Sequence, residues 1–390
     1  MKYVDEFRDP QRAKALITKI RNTVTQKWVL MDVCGGQTHS LLRHGIEQEL
    51  QEHIELIHGP GCPVCVTPAE AIDFAIRLSH RPDTILASFG DMLRVPGTGD
   101  SLLNARTNGG NVKTVYSPID AVQLAKQQPH QQIMFFAVGF ETTAPATALA
   151  VLQAAELKLT NFSLLVSHVR VQPAMDAILR SPDNRVQAFL GAGHVCTVAG
   201  FETYCELADE FRVPIAITGF EPTDLLDGIL NCVIQLEAGT CDVSNAYARI
   251  AGQQGNPQAM EIIERVYEVA DRPWRGLGTI ADGGYVLRDA WSDFDAERKF
   301  SDVAASASLP IVDVTGACRA ADVLSGRLRP HECPEFGTRC HPDSPLGAPM
   351  VSSEGACAAY FRFHPLPRGA YNVFSFDPTQ RGDTRAESPS

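Results

Sequence analysis

Short apolar runs alternate with stretches of helical periodicity along this chain, and that alternation limits the architecture more than any other feature. The runs are Trp28–Val33, Ile54–Ile57, Thr84–Ser88, Val112–Tyr116, Ile133–Val138, Ser163–Ser167, Ala188–Leu190 and Ile215–Thr218. Between them lie Ala69–Ser79, Ala121–Gln127 and Pro145–Leu157, and residues 10–24 form a further helical stretch ahead of the first run. Strand, helix, strand in repetition predicts parallel sheets covered by helices on both faces. At 390 residues the chain is too long for one ordinary core, so two or three domains are expected.

Helix starts support this reading. Thr67-Pro68-Ala69-Glu70 offers an N-cap Thr, Pro at the first helical position and a Glu placed for a capping box, and Ser117-Pro118-Ile119-Asp120 repeats the arrangement. An internal echo is also present: Gly139-Phe140-Glu141-Thr142-Thr143 and Gly219-Phe220-Glu221-Pro222-Thr223 each close an apolar run, with Ser88-Phe89-Gly90-Asp91 a looser relative. Such turns gather at the carboxyl edge of a parallel sheet, where ligands bind. A Glu there equally serves the dipole of the following helix, so both readings stay open.

Hydrophobic content of 44% with 21% charged residues lets a core form without covalent staples, so the eleven cysteines need another explanation. The start lacks an apolar signal core, and no run of apolar residues is long enough to span a bilayer, so a cytoplasmic protein is expected. In that reducing compartment clustered cysteines read as metal ligands or redox groups. A net charge of −12 argues against nucleic acid or an anionic membrane as partner.

Three constellations carry chemistry. Cys318, Cys333, Cys340 and Cys357 lie in a Pro-interrupted stretch with little periodicity, which needs something besides an apolar core to order it. None of their spacings is the Cys-x-x-Cys knuckle of zinc ribbons, and Cys333-Pro334 is similar to a step found at many cluster ligands, so an iron–sulfur cluster is preferred over structural zinc or unrelated buried thiols. Leu328, Phe336, Leu346 and Met350 are candidates for its apolar shell.

The second constellation is His58-Gly59-Pro60-Gly61-Cys62-Pro63-Val64-Cys65, a dithiol placed before a helix start, where the positive helix end lowers a thiol pKa. The third is Asp32-Val33-Cys34-Gly35-Gly36-Gln37-Thr38-His39, which presents a thiol at a strand end beside free amides, with Asp32 or His39 as assistants. His194 follows another apolar run and on its own reads as structural. Cys196, Cys205, Cys232 and Cys241 fit no ligand spacing and are expected in the core.

Taken together these segments resemble the HypD family of [NiFe]-hydrogenase maturation proteins. The resemblance rests on Asp32–Gly36, Gly59–Cys65, Phe89–Pro96, Gly139–Thr143, Gly193–Val195, Gly219–Pro222, Trp274–Gly278 and Val351–Cys357, in the family's order, and on the four-cysteine spacing. It implies a redox-active scaffold, rather than a stand-alone enzyme, on which an Fe(CN)2CO unit is assembled with a HypC-like chaperone and a HypE-like cyanide donor. By the same resemblance Cys34 is the iron-site thiolate, and Cys62 and Cys65 are a redox pair or further iron contacts. His194 and Glu354 stand near the working cleft, and Cys318, Cys333, Cys340 and Cys357 hold a [4Fe-4S] cluster. The implied layout is an α/β domain over residues 30–120, a second over 121–240, a cluster domain from 1–29 with 241–363, and a weakly ordered tail over 364–390. The chain departs from the family at Gln37, where many members have His, a loss that His39 is placed to offset, and at Leu328, where some have Cys. A dithiol oxidoreductase of the ferredoxin–thioredoxin reductase type is the alternative, and a zinc-stabilised binding module a third.

Overall fold

The computed structural model describes residues 5–305 and 317–364. The expected weakly ordered tail lies, from residue 365 onward, outside them. All eight apolar runs form strands: β1 (Trp28–Asp32), β2 (Ile54–His58), β3 (Thr84–Ser88), β4 (Val112–Thr114), β5 (Gln132–Gly139), β6 (Phe162–His168), β7 (Ala188–Ala192) and β8 (Ile215–Thr218). Three strands escape the apolar-run signal. These are β9 (Val243–Asn245), which is short and partly exposed, and the hairpin β10 (Tyr267–Trp274) with β11 (Gly278–Leu287), whose outward face is polar.

The strands form two parallel sheets, ordered β2-β1-β7-β8-β9 and β4-β3-β5-β6. The sheets do not divide at residue 120. The chain lays down β1 and β2, leaves for the whole of the second sheet, and returns so that Leu30 pairs with Ala188. Every residue of β3, β6, β7 and β8 is buried, so these strands are covered on both faces and carry no mark of which neighbour they choose. The N-terminal helix Pro10–Thr23, capped by Asp9, packs on the helix Pro222–Ala238 of the first sheet, with Ile20 fully buried. The expected grouping of residues 1–29 with the C-terminal cysteines therefore does not describe where this helix sits.

Separate apolar clusters line the faces of each sheet. The hairpin spans two of them, with Trp274 and Ile280 in one and Tyr267, Tyr285 and Leu287 in another. Among the described residues no helix is long and apolar enough to cross a membrane.

Candidate functional site at the carboxyl edge of the first sheet

Cys34 stands two residues beyond the end of β1 and is the N-cap residue of the helix Gly35–Arg43. The two glycines after it are there for close approach. A Cβ at Gly35 would run into the backbone of Glu354, and one at Gly36 would lie 2.7 Å from the Phe220 ring. From the other side, a Cβ at Gly61 would strike the backbone of Cys34, and the Gly35 amide donates to the Gly61 carbonyl at 2.9 Å. Three distant segments thus meet around the turn that carries Cys34.

The Cys34 sulfur lies 3.8 Å from Nδ1 of His194, which sits in the first turn of the helix Gly193–Ala199 after β7. Phe220 leans on the His194 ring at 5.3 Å and forms the wall. Only 5% of Cys34 is exposed, and burial pushes its thiol up to about 12 despite the amides of Gln37 and Gly36 that favour the thiolate; Glu354 and Asp32 add to the rise. At Cys34 desolvation outweighs the favourable helix end beside it. Burial also lowers His194 to about 4, so near neutrality the pair is a neutral thiol beside a neutral imidazole. Glu354 packs its backbone and Cβ on Gly35, and its carboxyl is raised by partial withdrawal from water and by Asp91.

Gln37 is fully buried and donates to the Gly191 carbonyl at 3.0 Å and to Thr218 Oγ1 at 2.6 Å, while its own Oε1 has no partner. His39 is not placed to replace an imidazole there, since it packs edge-on against Phe363 at 4.8 Å. Nor is Asp32 free to assist Cys34, because both its oxygens are engaged, by His58 and by Thr38.

Cys62 and Cys65 form a disulfide within and just before the one-turn helix Pro63–Val66, keeping 2% and 1% of their surface exposed. The Cys65 sulfur lies 3.9 Å from the Ala348 carbonyl oxygen. One residue earlier, Gly347 packs directly on the Cys318 sulfur, and one before that the Leu346 amide donates to the Cys340 sulfur at 3.4 Å. The strip Leu346-Gly347-Ala348 therefore touches two of the quartet thiols and the disulfide.

The quartet gathers in one neighbourhood. Burial and then Cys318, Cys340 and Cys333 raise the Cys357 thiol, and burial raises Cys318 and Cys340, with neighbouring quartet thiols adding to both shifts. Among the described residues no three His, Cys, Asp or Glu side chains are arranged to hold a single ion. A four-iron cluster takes one thiolate per iron, so its ligands need not converge on a point. Met350 is buried beside this loop, while Leu328, Phe336 and Leu346 are half-buried. Arg275 is missed by sequence reading: its Nη1 donates to the Pro96 carbonyl at 2.7 Å, its amide to the Val66 carbonyl at 2.8 Å, and Cys318 acts on its charge. Of the remaining cysteines, Cys196, Cys232 and Cys241 are buried in the core as expected and Cys205 is half-buried.

Fold and site together define an α/β protein that brings thiols together at the carboxyl edge of a parallel sheet, beside a cysteine-rich C-terminal segment. A profile of the hydrogenase formation hypA family, HypD, matches residues 11–364. The chain is 42% identical over 373 residues to the hydrogenase maturation factor HypD of Rhodobacter capsulatus, covering 93% of this chain and 98% of that one. It is 44% identical over 372 residues to the factor of the same name from Azotobacter vinelandii (93% and 97% covered) and 41% identical over 371 residues to that of Escherichia coli (93% and 98%). The chain belongs to the HypD family.

Proposed function

We propose that this protein is the redox-active scaffold on which the Fe(CN)2CO unit of a [NiFe]-hydrogenase is assembled, in the cytoplasm, with a HypC-like chaperone and a HypE-like cyanide donor. Family membership supports a role in hydrogenase maturation. The observation that carries the finer reading is the contact sequence from the quartet through Gly347 and Ala348 to Cys65, and from Gly61 to Cys34.

Iron with cyanide and carbonyl ligands is the cargo, and a soft thiolate suits it. Cys34 supplies that donor once its proton leaves. His194 Nδ1, 3.8 Å away and neutral near pH 7, is placed to accept a hydrogen bond from the thiol, and binding of the metal is what drives the proton off. The amides of Gly36 and Gln37 then face the new thiolate. Phe220 and the Glu354 loop exclude water from the same spot.

The quartet's donor chemistry fits a [4Fe-4S] cluster: four cysteines lie in one neighbourhood, and Gly347 leaves no room for a side chain beside Cys318. Cys318, Cys333, Cys340 and Cys357 would hold such a cluster, which when bound would relay electrons one at a time from an external one-electron donor. Opening the Cys62–Cys65 disulfide takes two electrons and two protons and yields two thiols beside Cys34. Burial of that disulfide at 2% and 1% exposure speaks against the alternative of a dithiol oxidoreductase, because a protein substrate needs to reach the sulfur.

The test is Cys34→Ala in the anaerobically purified complex with the chaperone. Loss of the cyanide and carbonyl infrared bands, with cluster absorption retained, is expected; bands that persist overturn the assignment. A colourless, zinc-only wild-type protein overturns the cluster.

A further inference from the structure

A line of buried polar side chains, unused by the chemistry above, runs between the cysteine groups. Asp32 ends β1, and its Oδ2 meets Nδ1 of His58, which ends β2. Its Oδ1 accepts from Thr38 Oγ1 at 2.6 Å. On the other side of the ring, His58 Nε2 faces Glu47 Oε2 at 3.6 Å, and Glu47 Oε1 accepts from Tyr360 Oη at 2.5 Å. Tyr360 is fully buried in the helix Ala356–Phe363, one turn after Cys357, and His331 stacks on it at 5.5 Å.

Two carboxylates buried this deeply need a cation between them, and His58 is the one they touch. Burial alone would lower its pKa, yet Asp32 and then Glu47 raise it to about 10, so the ring is an imidazolium at neutral pH. The placement of these groups links the cysteine groups. Asp32 lies two residues before Cys34, His58 four before Cys62, and Tyr360 three after Cys357. Main-chain bonds tighten the same joint, since the Gly59 amide donates to the Asp32 carbonyl at 2.8 Å.

We propose that Glu47, His58 and Tyr360 are positioning residues through which the helix carrying Cys357 holds the Cys62–Cys65 turn against Cys34. The ease of reducing the pair then depends on how that helix is seated. The inference rests on the reading of Cys62–Cys65 as the redox pair of the scaffold, but its test needs neither cargo nor partner.

The test uses the full chain with dithiothreitol as the probe. The reagent gives two electrons and two protons to the disulfide, leaving two cysteine thiols and the cyclic disulfide of the reagent. The rate is read by alkylation and mass spectrometry of the Cys62–Cys65 peptide. Tyr360→Phe removes one hydroxyl and is expected to speed reduction about tenfold, the factor given by loss of one hydrogen bond to a charged group. In a Glu47→Gln background the same change is expected to add less than about twofold, because both act along one path. Tyr267→Phe is the control for a merely structural role. Its hydroxyl is equally buried and donates to Thr147 Oγ1 at 2.8 Å, so it should lower the thermal midpoint without moving the rate. A rate within twofold of wild type in Tyr360→Phe, or an equal acceleration in Tyr267→Phe, overturns the proposal. Should Glu47→Gln fail to fold, the two tyrosine variants decide the matter. Absence of cyanide and carbonyl bands would count against the assembly function and leave these rates as informative as before.

Discussion

At Gly61 a single hydrogen atom decides whether the site can close. A methyl group there would collide with the Cys34 backbone, and neither turn can retreat, since Gly35 is bonded to Gly61 and Glu354 presses on Gly35. Gly61→Ala is therefore expected to cost about 1–3 kcal/mol in urea unfolding, the range for overpacking a close contact. The glycine was visible in the sequence; the identity of the atom it spares was not, because Gly61 and Cys34 meet only in three dimensions. Arg275 makes the same point about charge. Among the described residues no carboxylate lies within ion-pair distance of its guanidinium, and of the negative groups that act on it Cys318 comes ahead of Glu70 and Asp73. If the quartet holds a cluster, Arg275→Met is expected to make that cluster harder to reduce, with partial recovery in Arg275→Lys, as read by potentiometric titration followed by absorption. Lower potential follows because removing a fixed positive charge disfavours an added electron.

At the scale of elements, local signals were read well where the chain satisfies itself locally. Ser117 and Asp120 form the expected capping box, with the Ser117 oxygen accepting from the Ile119 amide at 3.2 Å and Asp120 accepting from the Ser117 amide at 2.9 Å. Ser117→Ala is expected to cost about 1 kcal/mol on denaturant unfolding. The sister motif misleads. Thr67 donates its hydroxyl to the Pro63 carbonyl at 2.9 Å and so belongs to the turn before it, leaving the helix Ala69–Ser79 without a side-chain cap. The two Gly-Phe-Glu turns diverge in the same way. Glu141 accepts from the Val171 amide at 2.9 Å, at the start of the helix Val171–Leu179 after β6 rather than of the helix that follows its own turn, whereas Phe220 walls the Cys34 site and Glu221 binds Arg8 at 2.7 Å. The hairpin β10–β11 stayed hidden because it buries isolated residues such as Tyr267 and Trp274 among exposed ones.

At the scale of the molecule, the parallel-sheet class follows from periodicity, but strand partners do not, since fully buried strands offer no face preference. Buried titratable groups act together on stability. Burial lowers His168 and His194 to about 4, so from roughly pH 6.5 downward the unfolded chain binds two protons that the folded one refuses. Glu141, raised to about 6 by burial, offsets one of them over part of that range. Above about pH 6.5 the sign reverses: His58 keeps its proton to about 10, so the stability it contributes is lost as pH rises toward that value. Unfolding free energy is thus expected to peak near pH 6–7 and to fall by about 1.4 kcal/mol per unit on either flank. His58→Asn should flatten the alkaline flank in thermal melts across pH.

The same long-range pairing that brings β7 beside β1 sets His194 against Cys34, and the central claim is that this spot is where iron receives its diatomic ligands. The direct measurement is infrared spectroscopy of the protein purified anaerobically with its HypC-like partner. Cyanide and carbonyl bands that vanish in Cys34→Ala, while cluster absorption persists, are the expected result; bands unchanged in that variant contradict the account.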